Sequence, residues 1–136
     1  MKDSRKFFSY STYCSKSNSD FVNVKNLVSS KTYSEFIMRL GLVGLKEIDD
    51  IEFLIYMVSS AVSSENFDFV DTVGRAIRET NMFDKALKRG GKKFLNLCGR
   101  YIAKNYSRTN KTYYVNMCRV VCAISDKFPN ILGKDW

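Results

Sequence analysis

Between Asn110 and Pro129 the chain carries an apolar pattern that fits a helix. Tyr113, Tyr114, Met117, Val120, Val121 and Ile124 recur at three- and four-residue steps, and Val115, Cys118 and Cys122 widen the stripe. Asn110 stands where an N-cap is needed, and Pro129 is a place where such a helix must end. A helix this apolar has to be wrapped by others. Seven glycines and one proline in 136 residues leave too few turn formers for an all-β fold of this size. The expectation is an all-α compact bundle of six to eight helices. With 45% hydrophobic residues, it forms a single domain over residues 1–136 with a real core.

Helical periodicity divides the rest of the chain. Phe7, Phe8 and Tyr10 suggest a short first helix within residues 4–17, and Phe21, Val24, Leu27 and Val28 a second stripe that fades at Ser29-Ser30. Thr32 and Glu35 have the capping-box spacing and open a helix through Phe36, Ile37 and Leu40 to Gly41. These last two pieces can also be read as one bent helix. Asp49 or Asp50 caps the next helix, where Ile51 and Phe53 to Val58 are apolar nearly all round, so that it is predicted to be buried. Phe67, Val70, Val73, Gly74 and Ile77 predict an amphipathic helix to about Thr80. Lys88-Arg89-Gly90-Gly91-Lys92-Lys93 reads as a turn. Phe94, Leu95, Leu97, Cys98, Tyr101 and Ile102 then define a helix, and the short polar link Ser107–Asn110 predicts an antiparallel hairpin between it and the final helix.

Chemistry-bearing constellations are few. There is no histidine, which removes the usual general base and most metal sites. Asp49, Asp50, Glu52, Glu65, Asp68 and Asp71 sit where helices start, a placement suited to caps and helix dipoles rather than paired acid–base work. The expectation is a protein that is not an enzyme, with no cofactor, no metal site and no small-molecule substrate. Cys98, Cys118 and Cys122 lie in apolar helical patterns and read, with Cys14, as reduced thiols, three of them packing residues. After Met1 come Lys2, Asp3, Arg5 and Lys6, which form no secretory signal, and no window has the ~18 uninterrupted apolar residues of a membrane span. An intracellular, cytoplasmic protein is expected.

The net charge of +8 is unevenly spread, with +4 over residues 1–44, −5 over 45–80 and +9 over 84–136. Lys85, Lys88, Arg89, Lys92, Lys93, Arg100, Lys104 and Arg108 form a basic band with Tyr101 and Tyr106 interleaved. The glycine pair lacks the Gly-x-x-x-x-Gly-Lys-Ser/Thr pattern of a P-loop, so nucleotide binding is not expected. Binding to a nucleic-acid backbone is: one reading is a small basic helical nucleic-acid-binding or nucleocapsid protein.

The other reading comes from a resemblance. Phe7-Phe8-Ser9-Tyr10 is similar to the Phe-Leu-Ser-Tyr of some Bcl-2 family members. Leu97-Cys98-Gly99 would occupy the place of that family's Phe-Gly-Gly segment, and Cys118-Arg119-Val120-Val121-Cys122 resembles its Ser-Arg-Ile-Ala-Ala run. Ser125 to Trp136 resembles the second homology motif of the family, the part around Asn-Asp-His-Leu-x-Pro-Trp-Ile. No Asn-Trp-Gly-Arg is present; Met82-Phe83 followed by Arg89-Gly90-Gly91-Lys92 is preferred for its place over Phe67 followed by Val73-Gly74-Arg75. Viral members of the family, poxvirus and iridovirus proteins among them, show comparable erosion. The resemblance implies a Bcl-2-like bundle with a central helical hairpin. It implies an inhibitor of apoptosis that holds the helical death motif (Bcl-2 homology 3) of pro-apoptotic proteins such as Bim in a hydrophobic groove. Phe36, Leu40, Phe53, Val73, Ile77, Met82 and Phe83 would line that groove, and Arg89 or Lys92 would pair with the ligand's aspartate. An unfilled groove favours a homodimer, and action in the host cytoplasm, reaching mitochondria through partners, would follow.

Overall fold

The computed structural model describes residues 24–105 and 111–131; the expected helix within 4–17, the Asn110 cap and the motif residues beyond Ile131 lie outside the described residues. After a helical turn at residues 24–28 come six helices: α1 (Tyr33–Leu40), α2 (Leu45–Ile48), α3 (Ile51–Ser63), α4 (Phe67–Glu79), α5 (Asp84–Asn105) and α6 (Lys111–Lys127). There is no strand among the described residues. An all-helical bundle is the architecture.

Local chemistry sets the boundaries. The Thr32 side chain accepts the Glu35 N–H at 3.0 Å, while the Glu35 carboxylate reaches past it to the Lys31 N–H at 2.6 Å, a capping box displaced by one residue. Asp50, not Asp49, caps α3 by accepting the Glu52 N–H at 2.9 Å. Past the end of α3 the Asn66 N–H donates to Ala61 and the Glu65 N–H to Val62, the paired bonds of a Schellman ending. Such an ending needs a left-handed residue, and Glu65 supplies it at φ 58° where glycine is usual. The 24–28 turn and α1 are separate pieces, not one bent helix.

α3 is the helix buried on all sides. Phe53 to Ser59, Ala61 and Val62 are all inaccessible, and α3 packs against α2, α4 and α5. The helix runs on past the apolar stretch to Ser63, with Ser59 enclosed in the core. α4 presents Phe69, Val70, Val73, Gly74, Ala76 and Ile77 inward. α6 lies along α4, with Gly74 facing the Val120 backbone, and meets α5 less extensively. The expected tight hairpin of the last two helices is therefore not the principal pairing: α6 takes α4 as its main partner.

The basic Lys88–Lys93 stretch is not a turn. It lies inside the 22-residue α5, where Gly90 faces Ile51 and Gly91 faces Ile131. Two neighbours crowd against this helix where a side chain would stand, so tertiary packing outweighs the turn tendency of two consecutive glycines.

Polar ties close the ends of the helices. The Lys127 ammonium, at the end of α6, donates to the carbonyls of Ile77 (2.9 Å) and Thr80 and to Asn81 Oδ1 (3.2 Å), and pairs with Asp84 at 3.0 Å. One cation thus satisfies orphan acceptors at the end of α4 and joins them to the first residue of α5. Asn66 donates to the Val28 carbonyl at 2.8 Å, and the buried Asn116 donates to the Phe67 carbonyl at 2.9 Å.

Candidate functional site

The residues expected to line a groove fall mostly inside the core. Phe36, Leu40, Phe53, Val73, Ile77 and Phe83 are essentially inaccessible, and Met82 is half-buried against the same cluster. Phe36 meets Phe69 edge-on, with ring centroids 5.1 Å apart. These side chains are brought together, but as interior packing; none stands open to a ligand while the bundle is closed. Arg89 and Lys92 are exposed on α5. Arg89 borders a depression of about 380 Å³ with Asp49, Asp50, Ile51 and Gly90, so carboxylates already stand near it.

The opposite edge of α1 is different. Met38 is 63% exposed and Leu42 83%, whereas Phe36 and Leu40 on the same segment are buried. Met38 and Leu42 are four apart and off the core stripe; the signal was present in the sequence as apolar residues out of phase with it. They rim a cleft of about 470 Å³ lined also by Asn26, Leu27, Arg39 and Val43. Arg39 is held there by three bonds, to the Asn26 carbonyl at 2.5 Å, Ser29 Oγ at 3.2 Å and Glu35 Oε2 at 2.9 Å. A guanidinium has five N–H donors, so two have no acceptor among the described residues. An apolar rim with one fixed cation can take an amphipathic segment that carries an acid beside its apolar residues.

A third surface lies between α4 and α6, a polar crevice of about 600 Å³ lined by Asp68, Asp71, Thr72, Lys111, Thr112, Val115, Asn116 and Arg119. Its charges are balanced: Arg119 meets Asp71 at 3.2 Å. No group of three or more potential metal ligands occurs among the described residues. Of the cysteines, Cys98 is buried as expected, and its thiol is pushed well above its ordinary pKa because ionisation would place a charge in a desolvated core. Cys118 is half-buried; Cys122 is exposed, so it is not a packing residue. The widening of the final stripe was overestimated at Val115 too, which is 39% exposed. No helix among the described residues is long and apolar enough to cross a membrane.

No protein family, characterised protein or solved structure matches this chain.

Proposed function

We propose that the chain is a non-enzymatic inhibitor of apoptosis that sequesters the helical death motif of pro-apoptotic proteins, Bim-like helices in particular. What carries the reading is the cleft beside α1, where exposed Met38 and Leu42 share a lining with an oriented Arg39 that has two donors unused among the described residues. A death-motif helix offers the complementary pattern, a row of apolar anchors interrupted by one aspartate. The sequence resemblance supports the same partner, and a bundle built round a helix buried on all sides supports a Bcl-2-like scaffold. Of the elements expected to line the groove only α1 is retained, and the binding face is the one bearing Met38 and Leu42 rather than Phe36 and Leu40. Arg39 takes the role assigned to Arg89 or Lys92. With the cleft empty, the same apolar edge pairs two copies of the chain. In this reading the protein acts in the host cytoplasm and reaches mitochondria through its partners.

Calorimetry with a Bim-derived helical peptide tests the proposal. Saturable binding is expected, weakened at least tenfold by Arg39→Glu and by Leu42→Ser, neither of which removes a buried apolar side chain. Peptide addition is expected to convert dimer to monomer in sedimentation. No binding at tens of micromolar would sink the reading. Binding that is lost on Arg89→Glu but kept on Arg39→Glu would move the site to α5.

A further inference from the structure

A second surface, sharing no residue with the α1 cleft, lies along α5. Over residues 84–100, Leu87, Gly91, Phe94, Leu95 and Cys98 are buried, and Lys85, Lys88, Arg89, Lys92, Lys93 and Arg100 are exposed. At 100° per residue those six cations fall within an arc of about 140° and run about 22 Å along the axis. No acidic residue occurs in α5 after Asp84. Neighbouring carboxylates touch only part of the ridge. Lys85 approaches Asp49 at 3.8 Å and Lys93 approaches Glu52 at 3.6 Å, both on the side facing the start of α3. Lys88, Arg89 and Lys92 have no ion-pair partner among the described residues, although Arg89 borders the depression that contains Asp49 and Asp50.

We infer that this ridge binds the phosphate backbone of a nucleic-acid duplex, without reading its sequence. Three ligands compete for a surface of this charge, and the apolar content decides between them. A membrane surface holds an amphipathic helix by inserted apolar side chains as well as by charge, and the apolar half of α5 is committed to the core. The exposed large apolar residues among the described ones, Met38, Leu42 and Val115, lie on other elements. An acidic helical peptide likewise needs apolar anchors. A duplex backbone needs only regularly spaced cations, and a straight helix face presents them in a row. No exposed side chain on the described part of the ridge is aromatic, so stacking on bases, and with it a preference for single strands, has no support there.

Fluorescence anisotropy with a mixed-sequence DNA duplex and its RNA counterpart tests the inference. With about four phosphates neutralised, the slope of log K against log salt is expected near −3.6, a loss of about 150-fold between 50 and 200 mM. The Lys88→Gln/Lys92→Gln double variant is expected to halve that slope to about −1.8. It removes two exposed charges and no packing, and it leaves peptide binding at the α1 cleft unchanged. Absence of duplex binding at 50 mM salt, or binding that the double variant does not weaken, overturns the inference. So does binding to phosphatidylserine vesicles with none to either duplex.

Discussion

Gly74, Gly90 and Gly91 all sit in helix interiors, yet they meet different neighbours. A Cβ at Gly74 would stand 3.5 Å from Val120, ordinary contact, so Gly74→Ala should gain most of the roughly 1 kcal/mol by which alanine outranks glycine in a helix. A Cβ at Gly91 would meet the free end of the half-buried Ile131 side chain, which can rotate aside; a change within about 0.5 kcal/mol is expected. At Gly90 it would strike Ile51 2.6 Å from that residue's own Cβ, close to the backbone at the start of α3. Overpacking of that kind costs about 1–3 kcal/mol and outweighs the propensity gain. Urea midpoints should therefore place Gly74→Ala above the parent, Gly91→Ala near it and Gly90→Ala below; any other order contradicts this geometry. Cys98 makes a separate prediction. Its folded-state pKa is raised, so the stabilisation from keeping the thiol neutral is complete below the unfolded value of about 8.5 and is lost as pH rises above it. The fall in urea midpoint between pH 7 and pH 10 should be smaller in Cys98→Ala than in the parent.

At the scale of elements, Lys127 shows how much depends on one contact between helix ends. Replacing it with methionine keeps the stem but leaves the Ile77 and Thr80 carbonyls and Asp84 without their cation. The site is partly open to water, so a loss of about 2 kcal/mol by chemical denaturation is expected, with Lys127→Arg recovering part of it. A loss below about 0.5 kcal/mol would mean that solvent replaces the lysine. Elements were unevenly legible in the sequence. α3, α4 and α6 were readable because their apolar residues repeat at helical steps over more than two turns. The first half of α5 was not legible because consecutive glycines signal a turn locally, while Ile51 and Ile131, which occupy the space those glycines leave, are distant in sequence. The pairing of α6 with α4 was not readable, because hydropathy marks an apolar face and cannot point to its partner. Lys127 was unreadable for the same reason, since three of its four acceptors belong to α4 and the link after it.

For the whole molecule, apolar pattern identified the interior better than it identified a site. Phe36, Leu40, Phe53, Val73, Ile77 and Phe83 do come together, but a side chain that lines a groove and one that fills a core have the same hydropathy. Only the closed packing distinguishes them. The two surfaces proposed for binding are instead where pattern and position disagree: Met38 and Leu42 are apolar and outside, and the exposed cations of α5 share one face. Charge follows the same division, with the acidic start of α3 beside a basic α5, so that α5 keeps a cationic face despite the acidic middle of the chain.

The enclosure of α3 also bears on how the chain is made. α3 leaves the ribosome before α5, which supplies part of its cover. Until that later helix is synthesised, Phe53 to Val58 have no complete shelter from water. A nascent or prematurely ended chain stopping near Thr80 would present them to chaperones and to other copies of itself. Part of the shelter of the middle of the sequence is thus made after it.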